Sequence, residues 1–262
     1  MPKTSVEISG GEALVHYDVT GSGPGLVLVH GTAATREQWL PLTDAARDRY
    51  TVVAPDCSGS GLTVDHGGEL TVGDLAAEVL AAADDAGLGE FRLAGHSLGA
   101  VVAAHLAGTH PDRVHSLVLH ACWAVTDTRF DAELRYWLDL LDVGAFARML
   151  PLMAFGPRYW AAATAESNEE LVATLDGLID PVQAARQVEV DRRVDLTEIL
   201  PKITAPTLLL ASEHDRIIDR AQQDLLAKAI PDTRRAGLDA GHGAPAEDPA
   251  GFAAAVLSFM DA

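Results

Sequence analysis

Short runs of leucine and β-branched residues alternate with helix-period patterns along most of this chain, and no other feature limits its fold as strongly. Leu26–Val29, Thr51–Ala54, Phe91–Ala94, Val114–Leu119 and Thr207–Ala211 are nearly continuous apolar stretches, the pattern of strands covered on both faces. Between them, Thr71 is placed to cap a helix that carries Leu75, Val79 and Leu80 along one side, with Gly87 beyond its end. A second helix is predicted from Leu98 to His110, where Pro111 stops it. Phe252, Val256, Phe259 and Met260 have the spacing of a terminal amphipathic helix. The predicted fold class is therefore α/β, a mostly parallel sheet with helices on both faces. At the N-terminus, Thr4–Ser9 and Ala13–Val19 around Gly10-Gly11 predict an antiparallel hairpin leading into the first buried strand.

The alternation stops between Trp123 and Leu200. Strand signals are nearly absent there, and Phe130, Leu134, Trp137, Leu138 and Leu141 share one helical face. Breaks at Pro151, Gly156-Pro157 and Pro181 divide the stretch into about four short helices. The expected organisation is a core formed by residues 1–123 and 201–262, interrupted by a helical insertion at 124–200. A chain of 262 residues with 48% apolar composition is long enough to bury one such core.

Gly95-His96-Ser97-Leu98-Gly99 follows a predicted strand and opens a predicted helix. In that setting G-x-S-x-G is a nucleophile elbow, in which glycines on both sides let strand and helix approach while the serine hydroxyl is projected. A serine hydroxyl is a poor nucleophile at neutral pH and needs a histidine base held by a carboxylate. His242 is the chosen base among ten histidines, because its glycine-flanked loop follows the last strand signal and precedes the terminal helix. His120 and His214, near strand ends, remain possible pocket residues. For the carboxylate, the segment after Leu210 offers Asp215, with Glu213 and Asp219 as fallbacks. Backbone N–H groups of Leu98, in the elbow, and Thr32, after His30-Gly31, are the candidate oxyanion donors.

These residues resemble the α/β-hydrolase superfamily, in its single-domain serine hydrolase branch with a helical cap. The order Ser97, Asp215, His242 is the superfamily's order, and the His30-Gly31 loop falls where its members place it. Asp56 to Thr63 is similar to the family's D-x-R-G-x-G-x-S loop, and Glu247-Asp248-Pro249 to its E-x-P start of the last helix. Ser58 departs from the pattern, standing where an arginine is usual, and this puts the packing of that loop in question. The resemblance implies an α/β-hydrolase fold, a cap made by the helical insertion, and no cofactor. It also implies a serine hydrolase acting on an ester, thioester or lactone through an acyl-enzyme on Ser97. A serine at the elbow argues against the dehalogenases and epoxide hydrolases, which carry an aspartate there. Carbon–carbon bond hydrolases, and non-hydrolytic lyases, cyclases or ligand receptors on the same fold, remain alternatives.

Other features narrow the partners. The formal charge of −19 disfavours nucleic acids and anionic membranes, so a small-molecule substrate is expected. Oligomeric state is not legible. Cys57 and Cys122 make no disulfide framework, and Met1 to Gly11 lacks the apolar core of a secretory signal, so a cytoplasmic location is expected. No metal-ligand spacing is present, and no metal site is expected. In the insertion, Trp123, Trp137 and Phe155 are the expected substrate-binding residues, from a set that includes Phe130, Met149, Met153, Tyr159 and Trp160.

Overall fold

Apolar strands need cover on both sides, and the sheet receives it. The computed structural model describes residues 1–261. Its eight strands are β1 (Lys3–Ile8), β2 (Gly11–Gly21), β3 (Gly25–Val29), β4 (Thr51–Pro55), β5 (Phe91–His96), β6 (Val114–His120), β7 (Thr207–Ser212) and β8 (Thr233–Leu238). They form one sheet in the order β1-β2-β4-β3-β5-β6-β7-β8. From β4 to β8 every pairing is parallel, while β1–β2 and β2–β4 are antiparallel. The N-terminal hairpin thus joins β4 at the sheet's edge rather than β3, which follows it in the chain. Its register pairs Ile8 with Gly11, so the turn falls on Ser9-Gly10, one residue earlier than the glycine pair suggests.

Helices α1 (Leu40–Ala46), α2 (Val72–Asp85) and α3 (Leu98–Thr109) precede the insertion. Side chains alternate across the strands. Val27, Val29, Leu93, Leu119 and Leu209 pack with Leu75, Val79, Val101 and Leu106 of α2 and α3. Leu26, Leu28, Ala94, Val118 and Leu210 face the other way, against Trp39, Leu42, Phe252 and Val256. Burying each such leucine contributes about 1.5–3 kcal/mol. Thr71 caps α2 in a reciprocal box: its hydroxyl accepts the Asp74 N–H at 3.1 Å and Asp74 Oδ2 accepts the Thr71 N–H at 2.8 Å.

Between β6 and β7 the chain forms five helices rather than four: α4 (Thr128–Asp142), α5 (Phe146–Ala154), α6 (Pro157–Ala162), α7 (Ala165–Leu178) and α8 (Pro181–Asp191). Pro151 does not break a helix. It sits inside α5, whereas the break between α4 and α5 comes at Gly144, whose φ is +67°. Thr164 opens α7 by accepting the Ser167 N–H. The insertion is tied at its root, where Thr126 N–H donates to Val194 at 3.0 Å and Leu196 N–H to Ala124 at 2.8 Å. The chain returns through β7, α9 (Arg220–Ala229), β8, α10 (Ala244–Glu247) and α11 (Pro249–Met260). No described helix is long and apolar enough to cross a membrane.

Candidate active site

Ser97 stands between β5 and α3 with φ 55° and ψ −123°, a backbone conformation that L-residues with a side chain rarely adopt. Its neighbours explain how this turn closes. A Cβ on Gly95 would lie 2.2 Å from the Gly99 carbonyl oxygen, and one on Gly99 would lie 2.1 Å from that of Val29. Both positions therefore exclude any larger residue. The Ser97 N–H donates to His120 at 2.9 Å, which fixes the turn to the neighbouring strand.

Asp215 follows β7 and His242 follows β8, so parallel strands bring both loops to the sheet edge that carries Ser97. His242 Nδ1 lies 3.1 Å from Oδ1 and 3.0 Å from Oδ2 of Asp215. Asp215 Oδ1 also accepts the Ile217 and Ile218 N–H groups, each at 2.9 Å. Burial pushes the Asp215 carboxyl up, but the His242 charge, its hydrogen bond and these two amides outweigh burial and hold it below the usual carboxylate value. With Nδ1 engaged, Nε2 is the imidazole nitrogen left for a proton. Among the described residues no hydrogen bond joins Ser97 Oγ to His242; the two meet as walls of one cavity. The fallback carboxylates lie elsewhere: Asp219 caps α9 through the Ala221 N–H, and Glu213 is exposed, with no hydrogen bond to His242 among the described residues.

That cavity, about 400 Å³, is lined on the core side by Gly31, Thr32, Ser97 and His242 and on the insertion side by Trp137, Phe146, Leu150, Phe155, Leu175 and Ile179. Among the described residues, Glu37 is the one acidic or basic side chain of the Asp, Glu, Lys and Arg types in this lining. A more polar groove of about 480 Å³ adjoins it and shares Ala33, Ala34, Thr35, Glu37, Leu178 and Ile179. Thr32 faces the cavity, and Leu98 opens the first turn of α3; among the described residues neither backbone N–H has a protein acceptor.

Trp137 and Phe155 line the cavity, but Trp123 does not. It is 1% exposed, its Nε1 donates to Thr126 Oγ1 at 2.8 Å, and it packs edge-on against Phe130. An edge-to-face row continues from Phe130 to Trp137 and Phe146, so this aromatic series runs from the core into the cavity wall. Phe130, Met149, Met153, Tyr159 and Trp160 also lie off the cavity. The aliphatic residues Leu150, Leu171, Leu175, Leu178 and Ile179 supply much of the wall instead. Which side of each inserted helix faces the serine depends on how the helices cross, and helical spacing alone does not reveal that.

Two further loops support the site. Glu247 Oε2 accepts N–H groups from Gly241 at 2.7 Å and Gly156 at 2.9 Å, joining the His242 loop to the insertion. In the Asp56–Thr63 loop, Arg36 supplies the guanidinium that pairs with Asp56, while Ser58 N–H and Oγ both contact Glu78. Among the described residues Arg36 does not reach Glu78, so the loop packs at Ser58 through these two hydrogen bonds to a buried carboxyl. His120, one possible pocket residue, is fully buried; its Nδ1 is 2.8 Å from His96 Nδ1 and its Nε2 3.0 Å from Ser212 Oγ. Burial lowers its titration to about 3, which keeps the imidazole neutral. His214 instead pairs with Asp239 at 2.9 Å, and with Glu213 these are three potential metal donors within 4.8 Å of one another.

A model of the alpha/beta hydrolase family matches residues 26–255. The chain belongs to that family. This hydrolase is 35% identical over 258 residues to pyrrolizixenacetamide deacetylase of Xenorhabdus hominickii, covering 97% of both chains. Among solved structures, an esterase from Thermogutta terrifontis superposes with a TM-score of 0.86 at 23% identity, over 100% of the hydrolase and 98% of the esterase. The enol-lactonase of Burkholderia xenovorans LB400 gives 0.81 at 24% identity, over 99% and 100%. Both likenesses are of fold. The hydrolase shares with them the largely parallel sheet and flanking helices.

Proposed function

We propose that this hydrolase cleaves an ester-type bond (ester, thioester or lactone) of a small, largely apolar substrate through an acyl-enzyme on Ser97. The observation that carries the reading is the Asp215–His242 pair beside a serine held in a strained turn at the floor of an apolar cavity. Ser97 Oγ attacks the carbonyl carbon as His242 Nε2 takes its proton, and Asp215 stabilises the imidazolium. The tetrahedral oxyanion accepts the N–H groups of Thr32 and Leu98, each worth about 3 kcal/mol by analogy with single-donor removals elsewhere. His242 then gives the proton to the leaving group. Water, deprotonated by the same imidazole, cleaves the acyl-enzyme and returns Ser97 to its hydroxyl form. Residues 124–200 serve as the cap that excludes water and shapes the acyl pocket over the core of 1–123 and 201–262.

The deacetylase likeness favours a second reading, removal of an acyl group from an amide nitrogen. The same groups serve it, with His242 protonating the departing amine. Incubation with a fluorophosphonate, peptide mapping, and turnover of p-nitrophenyl esters beside matched N-acyl anilides test both readings. Labelling at Ser97 and loss of turnover in Ser97→Ala are expected. Saturable ligand binding without labelling or turnover overturns both in favour of a non-hydrolytic role.

A further inference from the structure

The oxyanion loop is held from above as well as from the sheet. Thr32 Oγ1 donates to Asp191 Oδ2 at 2.7 Å, and the next residue, Ala33, gives its N–H to Gln187 Oε1 at 2.8 Å. Asp191 and Gln187 lie one helical turn apart on α8, the last helix of the insertion, and are 1% and 0% exposed. Gln187 also donates to the Ser58 carbonyl and to Ser60 Oγ, both at 2.9 Å, so one amide joins two core loops to α8. Ala33 has φ +57°, in the left-handed region that favours glycine. The loop therefore adopts a shape that its own sequence does not favour, and the buried partners from α8 hold it there.

We propose, building on the Ser97 acyl-enzyme reading, that Asp191 is a positioning residue for the oxyanion hole, fixing the Thr32 peptide through its hydroxyl while Gln187 fixes the peptide that follows. The placement makes the aim of the Thr32 N–H depend on the docking of α8, so the cap contributes to chemistry as well as to substrate fit. An ionised carboxylate this close to a developing oxyanion would oppose it. Burial drives the Asp191 carboxyl well above its usual range, only partly offset by the Thr32 hydrogen bond, and among the described residues Oδ1 has no hydrogen-bond partner. Burial thus favours the neutral acid form of Asp191, which can accept from Thr32 without adding charge to the site.

Steady-state kinetics on a p-nitrophenyl ester, together with inhibition by an alkylboronic acid that forms a tetrahedral adduct on serine, test the proposal. Asp191→Leu should lower kcat about 10- to 100-fold, with KM within about twofold, because a misaimed donor is lost mainly in the transition state. Boronate affinity should fall by a matching factor. Asp191→Asn, which keeps an acceptor for the Thr32 hydroxyl, should retain most of the turnover. Thr32→Val, nearly isosteric and still carrying its N–H, should reproduce the Leu phenotype and carries the test if Asp191→Leu does not fold. The double variant should be no worse than either single one. Unchanged kcat in Asp191→Leu or Thr32→Val, or a loss that follows only the folded fraction while boronate affinity stays constant, overturns the proposal. Wild-type labelling at Ser97 separates the two ideas: without it the acyl-enzyme reading fails and this inference with it, whereas labelling with indifferent Asp191 variants removes this inference alone.

Discussion

Both carboxylate oxygens of Asp215 lie within 3.1 Å of His242 Nδ1, and one of them also receives two backbone amides. The imidazole is thereby held in one tautomer. Asp215→Asn should lower kcat by about 10³- to 10⁴-fold with little change in KM, measured on the best p-nitrophenyl ester. The carboxyl also makes stability depend on acid. Because its folded value lies below the ordinary 3.8, its contribution is complete above that pH and is lost as pH falls through the folded value. Wild-type turnover in the Asn variant would remove Asp215 from the mechanism.

Glu78 should work in the opposite direction. Burial raises its carboxyl from 4.5 to about 7, against the lowering effect of its two Ser58 contacts. Between those values the folded chain carries a proton that the unfolded chain has lost, so stability falls as pH rises through the window. Gln in this position still accepts from the Ser58 N–H and can donate to Ser58 Oγ. The Tm of Glu78→Gln should therefore vary less than wild type between pH 4.5 and 7, and should exceed wild type above that window. Parallel Tm curves for the two proteins would contradict this assignment.

Phe155 and Trp123 offer a contrast between wall and core. Phe155 lines the cavity and stacks on Tyr159 with ring centroids 4.2 Å apart. Phe155→Ala should shift chain-length preference towards longer acyl groups, read as kcat/KM across an ester series. Trp123→Ala should instead lower stability by about 3–5 kcal/mol in denaturant titration, leaving the order of preferred esters as it is.

Glu247 anchors Gly241 and Gly156 through a single oxygen. Glu247→Ala leaves two amides without their charged acceptor and should destabilise the fold by about 2–3 kcal/mol. Turnover per folded molecule should also fall, because the His242 loop loses its tie to the insertion. Glu247→Gln keeps an acceptor and should recover much of both.

Strands, their two-sided cover and the Ser97 turn were legible because their causes are local: apolar runs, and glycines where a Cβ would strike a neighbouring carbonyl. His242 and Asp215 were legible because they directly follow strands of a parallel sheet, which bring their loops to the same edge. The contacts of α8 were not. Asp191 and Gln187 precede the last two core strands by many residues yet meet the loop at Thr32 and Ala33, and nothing in their immediate sequence marks that encounter. Arg36 is a similar case: it reaches Asp56 from a preceding segment, and nothing in the local sequence marks that pairing. Trp123 read as a pocket residue because aromatic spacing records that a side chain is covered, without recording by what.

The hydrogen bonds that tie Thr126 to Val194 and Leu196 to Ala124 give the insertion a narrow stalk, planted between two strands that already pair with each other. Under the proposed mechanism, selectivity can therefore drift by rewriting the helices above the stalk, with Ser97, Asp215 and His242 left in register. The clamp from α8 limits that freedom: any replacement head must bring its own acceptors for Thr32 and Ala33, or leave that loop slack.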